Sequence, residues 1–250
     1  MSRTAFRKHK KLYITLIVIA AVLIAAAVAF AVYVCDYYHA DTAAINAAPF
    51  GQGVVSEVRE DFTVFYPTNP PVAGLIFYPG GKVEHTAYTP LMQALAEQGV
   101  LCVLVEMPLR LAVLDIDAAD GIPAQFPAVS RWYMGGHSLG GSMAASYLAD
   151  HTASYEGLLL LAAYSTADLS HADVRVLSVY GECDGVLSRE SYAECLPNLP
   201  PDCAEYVIEG GNHAGFGMYG AQSGDGEESI SAVEQIRLTA ARFAAFLQGE

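Results

Sequence analysis

Basic side chains are scarce in this sequence, and the few present are unevenly placed. Thirteen lysines and arginines stand against 27 acidic residues, and five of them (Arg3, Arg7, Lys8, Lys10 and Lys11) fall in the first 11 positions. The first acid is Asp36, so everything beyond residue 35 carries eight basic against 27 acidic side chains, a formal charge of −19. A surface of that sign repels phosphate backbones and anionic lipid, which argues against nucleic acid as a partner. Acidity by itself names no substrate.

Charge is missing altogether from residues 12–35, LYITLIVIAAVLIAAAVAFAVYVC, a run of 24 positions. A hydrocarbon layer is crossed by about 20 helical residues, whereas the apolar region of a signal peptide spans only about 7 to 15. The run is therefore read as one transmembrane helix. Cleavage near Ala29-Phe30-Ala31, giving a secreted protein, is the alternative. A lipoprotein signal is disfavoured because Val34 precedes Cys35 where a small residue is expected. The basic cluster ahead of the run leaves residues 1–11 as a cytoplasmic tail and the remainder outside, at the cell membrane.

Metal-binding patterns are also lacking. The five cysteines fit no metal spacing, and their odd number leaves at least one unpaired or paired between chains. Cys102 lies in an apolar run, while Cys195 and Cys203 flank LPNLPPD and could close a small loop in an oxidising compartment. The segment DIDAADG around Asp115, Asp117 and Asp120 departs from the EF-hand spacing. No metal or organic cofactor is expected. There is no internal repeat and no sign of a second domain; residues 36–52 show no period and read as a linker, and residues 53–250 as one domain.

Within 53–250, β-branched and apolar runs at 54–58, 62–66, 73–78, 100–105, 131–135, 157–162, 174–180 and 204–208 alternate with helical patterns. Continuous apolar runs such as GLLLLA suit strands buried on both faces. Residues 90–98 read as a helix capped by Thr89 and stopped at Gly99, and Ser231 with Glu234 reads as a capping box ahead of an apolar stripe. The alternation predicts an α/β fold, a mostly parallel central sheet flanked by helices on both faces, preceded by the one transmembrane helix.

The most specific chemistry sits at Gly136-His137-Ser138-Leu139-Gly140, where the 131–135 strand meets a helix beginning near Leu139. This G-x-S-x-G pattern makes Ser138 a candidate nucleophile, because an immediate strand-to-helix turn lifts the central residue clear and tolerates only small neighbours. A serine hydroxyl needs a base, and in this arrangement the order is serine, acid, histidine. Of the seven histidines only His213, in Gly210-Gly211-Asn212-His213-Ala214-Gly215 after the last strand, follows both. The acid should follow the penultimate strand, which favours Asp184 in Gly181-Glu182-Cys183-Asp184-Gly185 over the runner-up Glu182. An oxyanion hole would take the N–H of Leu139 and one from Pro79-Gly80-Gly81-Lys82, with Gly81 preferred and Lys82 the alternative.

Taken together, YPGGKVE at 78–84, GHSLGG at 136–141, YGECDGV at 180–186 and GGNHAGFG at 210–217 make the chain resemble an α/β-hydrolase, and specifically the small bacterial dienelactone-hydrolase-like group. The resemblance implies the α/β-hydrolase fold, a triad of Ser138, Asp184 and His213, and hydrolysis of an ester-like bond in a small acyl substrate. Dienelactone hydrolases proper use cysteine where this chain has Ser138, which argues against a dienelactone as the substrate. No long insertion between residues 162 and 174 suggests an interfacial lid. An acyltransferase, thioesterase or peptidase would use the same triad, and a non-catalytic binding module would keep only the fold. Oligomeric state is not legible.

Overall fold

The computed structural model describes residues 3–249, with side chains from Leu12 onward. The side chains of residues 3–11, on which the cytoplasmic-tail expectation rests, lie outside the described residues. The chain divides into two compact units, one ending at Tyr37 and one beginning at Tyr38. The first holds helix α1 (Arg3–Cys35), whose stretch Leu12–Cys35 is long and apolar enough to cross a membrane. A membrane anchor and a signal sequence both satisfy that description.

The second unit is built on one eight-stranded sheet. Its strands are β1 (Val55–Val58), β2 (Phe62–Tyr66), β3 (Ala73–Tyr78), β4 (Val100–Val105), β5 (Trp132–His137), β6 (Gly157–Leu161), β7 (Arg175–Gly181) and β8 (Ala204–Ile208). They lie in the order β1-β2-β4-β3-β5-β6-β7-β8, with the β1–β2 and β2–β4 pairings antiparallel at one edge and the other five parallel.

Side chains alternate across the sheet, as the pleat requires. Leu75, Phe77, Cys102 and Leu104 join one core with helices α3 (Thr89–Glu97) and α6 (Ala232–Gln248). Ile76, Tyr78, Val103 and Met134 join the other, against helix α4 (Leu139–Asp150). Both faces are covered, which is why the central strands read as unbroken apolar runs rather than as alternation. On α6 the stripe Ile236, Ala240, Phe243 and Leu247 is buried, Phe243 meeting Tyr133 edge-on at 5.7 Å between ring centroids.

Several elements differ from the sequence reading. Strand β5 runs two residues further than 131–135, through Gly136 and His137, because those residues keep pairing with Tyr78 and Leu161. Thr89 begins α3 rather than capping it, while Gly99 stops it at a φ of +88°. The Ser231 box is half formed: its hydroxyl accepts the Glu234 N–H at 3.2 Å, but the Glu234 carboxylate turns to Arg237 at 2.8 Å. All five cysteines are unpaired, so Cys195 and Cys203 close no loop.

The largest difference concerns residues 38–52, read as a linker. They lie on the domain as a strap, including the short helix α2 (Thr42–Ala47) capped by Asp41, which accepts the Ala44 N–H at 3.0 Å. Tyr38, Ala40, Ala44, Ile45, Ala48 and Phe50 pack against the first core. A single row of contacts at irregular spacing leaves no period in the sequence. Helix α5 (Arg189–Cys195), also absent from the sequence reading, follows Ser188, whose hydroxyl accepts the Ser191 N–H.

The parallel strands end at one edge of the sheet. Tyr78 pairs with Gly136, His137 with Leu161, Leu161 with Val179 and Gly181 with Ile208. Every motif singled out in the sequence follows one of these ends, where open α/β sheets bind ligands.

Candidate active site

Ser138 caps the N-terminus of α4 with φ 51° and ψ −123°, a conformation that a residue with a side chain adopts only under constraint. The constraint comes from both sides. The Ser138 N–H donates to the Leu161 carbonyl at 2.9 Å, and the Ser142 N–H closes the first helical turn onto the Ser138 carbonyl at 3.1 Å. The neighbouring glycines are obligatory for space: a Cβ on Gly136 would fall 2.5 Å from the Gly140 backbone, and one on Gly140 only 2.2 Å from the Tyr78 and Pro79 carbonyls.

His213 follows β8 and Asp184 follows β7, and their side chains meet, with Nδ1 and Oδ2 2.9 Å apart and both fully buried. The other carboxylate oxygen of Asp184 accepts the N–H groups of Val186 (2.9 Å) and Leu187 (2.8 Å). Burial alone would raise the Asp184 carboxyl, but the hydrogen bond and positive charge offered by His213, with those two N–H groups, hold it below the usual carboxylate range. A carboxylate at Nδ1 fixes the ring so that Nδ1 carries the proton and Nε2 is the acceptor. That Nε2 is buried and has no hydrogen-bond partner among the described residues. Glu182, the runner-up, is used otherwise: it accepts the Gly210 N–H at 3.0 Å, bracing the β7 and β8 ends.

Ser138 and His213 line one cavity of about 260 Å³, with Leu139, Tyr164, Val186 and Leu187 among its walls. Larger hollows of about 530 and 500 Å³ lie near residues 193–203 and 152–156 and contain none of the three residues. The cavity is small for a ligand site.

Gly81 lies against Leu139, close enough that a Cβ on it would approach the Leu139 side chain to 2.8 Å. The N–H groups of Gly81 and Leu139 make no hydrogen bond among the described residues. The alternative donor is engaged: the Lys82 N–H donates to the Arg110 carbonyl at 2.8 Å.

Three residues escaped the sequence reading. Asp225 accepts the N–H groups of Gly185 (3.1 Å), His213 (3.1 Å), Ala214 (2.8 Å) and Gly226 (2.9 Å), tying the acid and base loops together. His137 packs its ring 4.5 Å from that of His213, and Tyr88 reaches His137 with its hydroxyl. His137 occupies the variable position of the G-x-S-x-G pattern, which is the only signal in the chain that could have pointed to it.

A model of the Alpha/beta hydrolase family matches residues 74–237, a span that holds all four motifs. A predicted CIB-like hydrolase from Thermoplasma acidophilum is similar in structure, with a TM-score of 0.56, 16% identity, and coverage of 77% of this chain and 98% of that one. Est1E from Butyrivibrio proteoclasticus is similar as well, with a TM-score of 0.56, 14% identity, and coverage of 79% and 99%. At these identities the likeness is one of fold. No curated protein matches the sequence.

Proposed function

This chain belongs to the Alpha/beta hydrolase family, and we propose that it is a serine hydrolase cleaving a carboxylic ester or similar acyl bond of a small substrate through Ser138, His213 and Asp184. The observation that carries the reading is the buried Asp184–His213 pair, 2.9 Å apart, whose histidine lines the cavity that also holds the strained Ser138. In the first half-reaction His213 Nε2 takes the Ser138 proton as Oγ bonds to the substrate carbonyl carbon. The tetrahedral oxyanion accepts from the Leu139 and Gly81 N–H groups, and Asp184 steadies the imidazolium. Collapse expels the alcohol, which takes the proton from His213 and leaves an acyl-serine. Water, deprotonated by the same Nε2, then attacks the acyl carbon, and Ser138 departs with the proton as the acid is released.

Residues 12–35 anchor the protein as a single-pass helix with residues 1–11 in the cytoplasm, and the domain from Tyr38 onward works outside.

Ser138→Ala should abolish labelling by a serine-directed fluorophosphonate and lower turnover of short p-nitrophenyl esters by roughly 10⁴-fold or more. Undiminished labelling of that variant would overturn the assignment of Ser138.

A further inference from the structure

We propose that Tyr88 and His137 form a buried positioning pair that sets the oxyanion loop and the base at a fixed spacing; the inference rests on the serine-hydrolase reading above. The Gly80 N–H donates to the Tyr88 hydroxyl at 3.1 Å, and the same hydroxyl lies 2.8 Å from His137 Nδ1. Both side chains are essentially inaccessible, at 0% and 1% exposure. The hydroxyl oxygen accepts from Gly80, and with its own proton directed to His137 Nδ1 the imidazole proton sits on Nε2, which is buried and has no hydrogen-bond partner among the described residues.

The pair fills the space between two pieces of the site. On one side it holds Gly80, whose backbone comes so close that a Cβ there would lie 2.7 Å from the Tyr88 hydroxyl and 2.8 Å from His137 Nδ1. Gly80 directly precedes Gly81, so the bond fixes the peptides that present the Gly81 N–H. On the other side the His137 ring lies 4.5 Å from His213 at 49°, with Phe216 at 5.5 Å. The loop after His213 is bound to the same turn as Tyr88, since the Met218 N–H donates to the Ala87 carbonyl at 2.8 Å.

A histidine in this place must also stay uncharged. Burial, and then the neighbouring charge of His213, push the His137 pKa well below its ordinary value. A neutral His137 lets the imidazolium form on His213 without a second cation beside it. Neither Tyr88 nor His137 touches the reacting atoms in the proposed mechanism. They act through Gly80 and through the position of the His213 ring.

The test is turnover per active site, with sites counted by fluorophosphonate titration so that misfolded protein drops out. Tyr88→Phe should lower kcat by roughly 10- to 100-fold, as expected for a small misplacement of catalytic groups, with KM within about threefold. His137→Leu should match that loss, and His137→Asn, which keeps an acceptor near the Nδ1 position, should regain most of it. The double variant Tyr88→Phe/His137→Leu should be no worse than either single, because the two act as one unit. An unchanged kcat per site in Tyr88→Phe, whatever its melting temperature, overturns the pair; so does a loss confined to KM, or multiplicative losses in the double variant. If Tyr88→Phe fails to fold, Asn and Leu variants at 137 with equal kcat per site overturn it. Unmutated protein that neither labels nor turns over removes the serine-hydrolase reading and the pair with it. Normal labelling and turnover in both the unmutated protein and Tyr88→Phe remove the pair alone.

Discussion

Asp225 does more for the site than its sequence context suggests. Four N–H groups converge on its two carboxylate oxygens, one from the loop that carries Asp184, two from the loop that carries His213 and one from Gly226. Without it, the two loops would still be joined by the Asp184–His213 bond, but that bond would have to hold its own scaffold in place. Asp225→Ala leaves these donors to water or to nothing, and we expect a loss of about 2 to 4 kcal/mol in stability with a kcat reduced at least roughly tenfold. Thermal melts and titrated turnover check this; wild-type kcat in the variant would show that Asp184 and His213 need no such brace. The candidates Ser138, Asp184 and His213 were readable because the G-x-S-x-G pattern marks the serine, and the acid and the histidine each follow a strand end in a fixed order. Asp225 was not, since it lies 12 residues beyond His213 and 40 beyond Gly185, in a segment, QSGDGEES, that reads as solvated loop. Its role exists only after folding brings three separated stretches together.

Among the elements, burial on both faces made the sheet readable. Strands β3, β4 and β6 are apolar along their whole length because helices cover both sides, and the strand starts and stops inferred from the sequence lie within two residues of the observed ones. The strap at 38–52 was invisible for the opposite reason: only one side of it touches the domain, and its contacts are spaced by turns rather than by a helical or strand period. Yet it grips two loops of the candidate site. Tyr38 exchanges backbone hydrogen bonds with Lys82 (2.8 Å) and Glu84 (2.9 Å), and its hydroxyl accepts from the Ser223 N–H at 3.2 Å. Its ring meets Tyr219 at 5.6 Å, and Tyr219 in turn meets Tyr88 at 6.4 Å. The Asp41 N–H donates to the Met218 carbonyl at 2.8 Å. A domain starting at residue 53 therefore loses half-buried apolar side chains worth about 3 to 5 kcal/mol together, and should melt roughly 10 °C below one starting at residue 36. Its kcat on short esters should fall several-fold as the 80–84 and 218–223 segments loosen. Equal melting and equal turnover of the two forms would reduce the strap to a passive connector.

For the whole molecule, the distribution of charge and the first helix must answer to one setting. A helix with 24 uncharged residues and exposed apolar side chains is unstable in water unless something covers it, and the two candidates are a bilayer and a signal peptidase pathway that removes it. The acidic domain, at −19 beyond residue 35, gives no electrostatic attraction to anionic lipid, so any membrane residence depends on that helix alone. The full chain, expressed in bacteria, should stay in the membrane fraction through an alkaline carbonate wash and keep its intact N-terminal mass. Protease added outside the inner membrane should digest the domain from Tyr38 onward and spare a fragment carrying residues 1–35. The form lacking residues 1–35 should neither sediment with anionic vesicles nor lose ester turnover. A soluble product beginning just after Ala31, in place of the intact chain, would make the helix a signal sequence and the enzyme a secreted one, leaving the chemistry at Ser138 untouched.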